Sequence, residues 1–114
     1  MAYNNNVILT GNLGSDPTYV EKGDKLFAAF SLATTDSYLD KESATWQTKA
    51  PAWHNILVFK ETLVERSRDF AKGARVQIKG SLSYRPFEVP RNGKSPLRKM
   101  EASIIAHSIE AKPL

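Results

Sequence analysis

Val7-Ile8-Leu9 opens the first β-branched, apolar run of the chain, which ends near Gly11-Asn12-Leu13-Gly14. Gly14-Ser15-Asp16-Pro17 reads as a turn, because glycine tolerates unusual φ and proline sets its own. Glu21-Lys22-Gly23-Asp24-Lys25 is a second turn, short enough for a hairpin loop. Leu26 to Ala33 is apolar at nearly every position, which predicts a strand buried on both faces or curled in a barrel. Residues 34–50 are polar and follow neither period, so they read as a long loop or an extended hairpin arm. Segments of that kind are often functional. Residues 52–59 predict a third strand, with Trp53, Asn55, Leu57 and Phe59 on one face and His54, Ile56 and Val58 on the other.

The pattern changes to i, i+3/i+4 over residues 60–72, where Leu63, Val64, Ser67, Phe70 and Ala71 predict a helix with Gly73 as its C′ residue. Residues 74–89 return to clean alternation. Val76, Ile78, Gly80, Leu82 and Tyr84 form the expected core face. Arg75, Gln77, Lys79, Ser81, Ser83, Arg85 and Phe87 form a basic, polar face with an aromatic ring at its far end. Pro86 predicts a frayed or bulged end, and Pro90-Arg91-Asn92-Gly93-Lys94 a loop tip with an Asn-Gly turn. Residues 99–111 read as a final strand, with a helix as the alternative, since their apolar positions fit neither period well. The result is a mainly β chain of five strands with one α-helix between strands 3 and 4. Among small α+β folds that order suits the OB-fold, a five-stranded Greek-key barrel with an oligonucleotide-binding face.

At 114 residues the chain is expected to be one domain, residues 1–114, with no internal repeat. No apolar run approaches the roughly 20 residues of a transmembrane helix, and MAYNNNVIL has no basic and apolar leader. The expected location is the cytoplasm. The absence of cysteine removes disulfides, thiolate zinc sites and thiol catalysis. The net charge of +4 is unevenly spread. Residues 1–57 carry four basic and six acidic side chains, and residues 58–114 carry twelve basic and six acidic ones. A basic second half points to an anionic partner or to a solubilising surface.

Enzyme signatures are scarce. GxxxxGK[ST], GxSxG and HExxH are missing, and His54 and His107 lie on separate elements with bland packing roles as the simpler reading. No catalytic residue, metal or cofactor is expected. The stronger pattern is aromatic residues interleaved with cations: Tyr38 and Trp46 in the polar arm, Trp53 and Phe59 on one strand face, and Phe87 beside Arg75, Lys79 and Arg85, with Arg91 and Lys94 at the loop tip. Single-stranded nucleic acid exposes base faces that stack on such rings and phosphates that attract such cations. From pattern alone, core burial of Trp53 and Phe59 stands level with stacking.

Several segments, in this order and at these spacings, resemble bacterial-type single-stranded DNA-binding proteins along residues 4–110. They are Asn6 to Pro17, which contains NLGSDP, Phe30 to Thr34, and Tyr38-Leu39-Asp40-Lys41. WHNILVF over 53–59, Ala71-Lys72-Gly73 and Val76 to Leu82 complete the match. The resemblance implies an OB-fold that assembles as a homotetramer and wraps single-stranded DNA without sequence readout, in replication, recombination and repair. It places stacking rings at Trp53, Phe59 and Phe87, with Tyr38 where a tryptophan is common, and puts His54 at a subunit interface. The family usually continues into a flexible linker and an acidic tip, whereas this sequence ends Ile109-Glu110-Ala111-Lys112-Pro113-Leu114. Partners recruited through such a tip are therefore not expected, whether the chain is truncated or a tail-less paralogue. The alternative reading is a dimeric, primosomal-type assembly factor bridging single-stranded DNA and a replication-restart partner.

Overall fold

The computed structural model describes residues 4–112. The first residues of the leader reading and Pro113-Leu114 of the chain end lie outside that range. The elements run β1 (Val7–Leu13), β2 (Thr18–Lys22), β3 (Lys25–Thr34), β4 (Ser37–Asp40), β5 (Thr45–Thr48), β6 (Ala52–Val58), α1 (Glu61–Ser67), β7 (Arg75–Arg91) and β8 (Lys94–Ala111). The described residues thus hold eight strands rather than five, and the helix follows β6. Two of the additional strands, β4 and β5, pair only with each other, so the polar 34–50 segment is an extended hairpin arm.

The main sheet has the order β1-β7-β8-β6-β3-β2, and β1 also pairs with β3 through Asn12↔Ala33 and Leu13↔Leu32. That last pairing closes β1, β7, β8, β6 and β3 into a ring. Gly11 permits the closure: a Cβ there would lie 2.1 Å from the Ala33 carbonyl oxygen. β3 accordingly alternates, with Ala28, Phe30 and Leu32 buried, as a strand curled in a barrel does. Inside the ring, Leu32, Ile56, Val58, Val76, Ile78 and Ile109 are fully buried.

α1 packs on the ring against β3 and β8, burying Leu63, Val64 and Ser67. It is shorter than the predicted 60–72. The Ser67 hydroxyl donates to the Val64 carbonyl at 2.6 Å, and Asp69 and Phe70 close i−3 bonds to Arg66 and Ser67, so the chain tightens and leaves the helix. Gly73, with φ +90°, follows this turn instead of standing at C′.

β8 explains its ambiguous pattern. Gly80 pairs with Ala106 but Lys79 with Ser108, so His107 is an extra residue in the ladder. The bulge moves the buried parity from Ile104 and Ala106 to Ile109. β7 pairs with β1 only as far as Gly80, opposite Val7. β8 keeps β6 as far as Ser103, opposite Ser83, and past that row β7 and β8 leave the ring as a long two-stranded arm. Tyr84, expected in the core, is therefore 60% exposed. Pro86 is tolerated in the arm, opposite Met100, because the strand there has one flanking partner. The irregularity expected there falls between Val89 and Arg91, and Asn92-Gly93 makes the tight turn, with Gly93 at φ +66°.

Candidate nucleic-acid interface

β6 separates its two faces as predicted. Ile56 and Val58 are fully buried, while Trp53 is 63% exposed and Asn55 projects on the same side. Phe59, just past the strand, is 45% exposed and meets Phe27 edge-on with ring centroids 5.0 Å apart. The ladder carries this outer face across β8 to β7. Asn55 lies beside Ser103, and Ser103 opposite Ser83. Next along the arm come Arg85 opposite Glu101 and Phe87 opposite Lys99.

These rows line an open groove of about 600 Å³, whose walls include Ser15, Thr18, Asn55, Phe59, Ser83, Tyr84, Arg85, Glu101 and Ser103. Its chemistry is mixed: three aromatic rings, Phe30, Phe59 and Tyr84, several hydroxyls and an amide, and one cation paired with one carboxylate. Glu101 holds the polar groups together. One of its oxygens accepts from Arg85 Nη2 at 2.9 Å, the other from Asn55 Nδ2 at 3.3 Å. Phe87, 39% exposed, stands two residues beyond Arg85 on the same side of the arm. Arg91 and Lys94 flank the tip, where Arg91 Nε donates to the Ser95 carbonyl at 2.9 Å.

The remaining candidates are distributed differently from expectation. Arg75 and Lys79 share the parity of Arg85, but they lie opposite Asn12 and Ile8 of β1. Ten residues of strand, about 33 Å, separate Arg75 from Arg85, so the predicted basic face is two patches. Tyr38 pairs with Gln47 and Leu39 with Trp46, which puts Tyr38 and Trp46 on opposite faces of the β4–β5 ribbon. Both are exposed, and Lys49 Nζ lies 5.9 Å from the Tyr38 ring centroid. His54 is half-buried, with Nε2 2.9 Å from the Thr34 hydroxyl. His107 Nε2 lies 2.8 Å from the Ser81 hydroxyl.

Tyr84, Asn55 and Glu101 are groove residues that site reasoning from the sequence missed. The strand alternation put Tyr84 in the core. Glu101 needed the arm's register, which the irregularity near Pro90 shifts by one residue. Among the described residues no group of three or more His, Asp or Glu is placed to hold a metal ion. No helix among them is long and apolar enough to cross a membrane.

Exposed aromatic rings on a closed β ring, continued by a basic arm, define a binding module of the oligonucleotide-binding type. The model of the single-strand binding protein family matches residues 4–111. A single-stranded DNA-binding protein of Rickettsia felis is 31% identical over 110 residues, covering 95% of this chain and 69% of the relative. Its Rickettsia typhi counterpart matches with the same figures. Among solved structures, the single-stranded DNA-binding protein of Plasmodium falciparum in complex with single-stranded DNA superposes with a TM-score of 0.79 at 27% identity, covering 99% of this chain and 98% of that one. A small single-stranded DNA-binding protein from Streptomyces coelicolor shares the fold, with a TM-score of 0.73 at 22% identity over 96% of each chain. The chain belongs to the single-strand binding protein family.

Proposed function

We propose that this protein binds single-stranded DNA without reading its sequence, and thereby protects it during replication, recombination and repair. The observation that carries the proposal is the exposure of two large rings, Trp53 on the outer face of β6 and Phe59 just past its end, with Phe59 lining a groove that runs onto the β7–β8 arm. Apolar rings of that size are normally sequestered, and their exposure leaves faces for bases. Each base stacked on a ring contributes about 1–3 kcal/mol, whatever its identity. Trp53, Phe59 and Phe87 are the proposed stackers along the groove and arm. Tyr38 and Trp46 serve a strand that passes the β4–β5 ribbon, one on each face. Arg85, Arg91 and Lys94 take backbone phosphate near the rings, and Arg75 and Lys79 do so at the distant patch.

The ring of β1, β3, β6, β7 and β8 is taken as the five-stranded Greek-key barrel of the OB-fold. Counted over those five strands, α1 falls between the third and fourth. The family relationship supports a homo-oligomer, a tetramer ahead of a dimer, and a non-enzymatic role in the cytoplasm. The interface role of His54 rests on that relationship too, with the ring oriented by Thr34.

The test is fluorescence anisotropy of a labelled homopolymeric strand at two salt concentrations. Binding that weakens steeply as salt rises is expected, because phosphate neutralisation releases counterions. An affinity that does not change between low and physiological salt contradicts the proposal.

A further inference from the structure

The groove contains a carboxylate where a polyanion is expected to lie. Glu101 stands opposite Arg85 in the arm, and its Oε2 accepts from Arg85 Nη2 at 2.9 Å. Its Oε1 accepts from Asn55 Nδ2 at 3.3 Å, which holds the carboxylate between β6 and β7. Phe59 and Tyr84 line the same groove. Two consequences follow from charge alone. Glu101 repels a phosphate that approaches the rings, and it occupies the guanidinium that would otherwise attract that phosphate. The pair is open to water, with side chains 76% exposed for Arg85 and 36% for Glu101. Such a pair is weak and opens readily.

We propose that Glu101 is an internal counter-anion that competes with the DNA backbone for Arg85. It lowers the groove's affinity for a single strand and keeps the bound strand exchangeable. This rests on the single-strand reading above. A phosphate that engages Arg85 exchanges one ion pair for another, so the net gain is small until Glu101 is displaced. Asn55 Nδ2 donates to Glu101 and, at 3.5 Å, to the Ala102 carbonyl, so displacement of the carboxylate frees Arg85 and one N–H of Asn55 together for the strand.

The experiment is a double-mutant cycle on the full chain, with a homopolymeric thymidine strand as probe. Glu101→Gln keeps the side-chain shape and an acceptor for Asn55 while removing the charge. Its affinity is expected to rise about two- to fivefold at low salt, the range of an exposed ion pair. The gain should shrink as salt rises, because screening weakens the repulsion. In an Arg85→Ala background the same substitution should change affinity less than in the native background. Glu101→Thr, a good strand former, should give the same sign and checks that the effect is not particular to glutamine. Weaker or unchanged binding in Glu101→Gln overturns the proposal. So does an equal gain in both backgrounds, which would leave general repulsion without competition for Arg85. Absence of wild-type binding at low salt overturns the single-strand reading and this proposal with it. Intact wild-type binding with either of the former results overturns the Glu101 proposal alone.

Discussion

The Trp53 indole rests directly on Gly14: a Cβ at Gly14 would lie 2.3 Å from Cζ3 of Trp53 and 3.1 Å from Cη2. Gly14 is itself tied to β3, with its N–H donating to the Ser31 carbonyl at 2.9 Å. The missing side chain therefore forms the seat of the ring. A turn glycine in the sequence thus positions the largest exposed ring of β6.

Gly14→Ala is expected to tilt Trp53 without unfolding the barrel. The backbone at Gly14 is not left-handed, so alanine is conformationally allowed there. The added methyl must displace the indole and the Ser31 hydroxyl, which would lie 2.8 Å from it. Single-strand affinity should fall by less than a full stacking contribution of about 1–3 kcal/mol, and the indole emission should shift in the free protein. Unchanged emission and affinity would mean that the ring does not depend on this seat. Titration and emission spectra of the variant provide the check.

Trp53→Ala and Phe59→Ala should each weaken binding by about 1–3 kcal/mol. Their effects on stability should differ. Trp53 is largely exposed, whereas Phe59 also packs edge-on against Phe27. Loss of that contact is expected to lower stability by about 0.5–1.5 kcal/mol beyond the lost area. Binding isotherms paired with urea unfolding separate the two contributions. Intact binding in both variants would relocate the site.

Gly11→Ala tests the closure of the ring. A Cβ there meets the Ala33 carbonyl oxygen at 2.1 Å, and backbone cannot yield as a flexible side chain can. Destabilisation of about 1–3 kcal/mol or more is expected from overpacking, read as a lower urea midpoint. A midpoint equal to that of the native chain would show that β1 does not need this close approach to β3.

The sequence made the barrel legible wherever a strand is flanked on both sides. In β6 the alternation of Trp53, His54, Asn55 and Ile56 agrees with the burial of each residue. The pattern misled where long-range pairing takes over from local preference. Tyr84 continues the core parity of Val76 and Ile78, yet β1 starts at Val7, opposite Gly80, and Asn5 bonds β7 only at Ser81 and Leu82, so Tyr84 lies past that cover and is exposed. In β8 the inserted His107 breaks the period, so Ile104, Ala106 and Ile109 fit neither template. The site divides in the same way. The alternation puts Trp53 and Phe59 on one face and Arg85 and Phe87 on another, but for Trp53 and Phe59 it leaves burial and exposure level, and only the barrel shows which side of β6 is outside. Glu101 was not legible, because its place opposite Arg85 depends on a register set by an irregularity near Pro90. The sequence places Tyr38 and Trp46 together in the polar arm, and only cross-strand pairing shows that they point to opposite sides.

The dual placement of cations gives a further expectation. If arm and distant patch both neutralise phosphate, the logarithm of affinity should fall with that of salt at roughly 0.7 per phosphate contacted. Neutralising Arg75 and Lys79 together should then reduce the slope for long strands. It should leave the slope for strands too short to reach from the arm to the patch. Equal loss for short and long strands would place both patches in one site.

The most direct test uses a Trp46→Phe variant, in which Trp53 is the sole remaining tryptophan. Its emission is titrated with a homopolymeric single strand at low and at physiological salt. Strong quenching at low salt that needs more DNA at higher salt is the predicted result, with bases stacked on the Trp53 ring. Saturable binding by anisotropy with no change in Trp53 emission would contradict the account, because the strand would then follow a path that avoids the Trp53 face of β6.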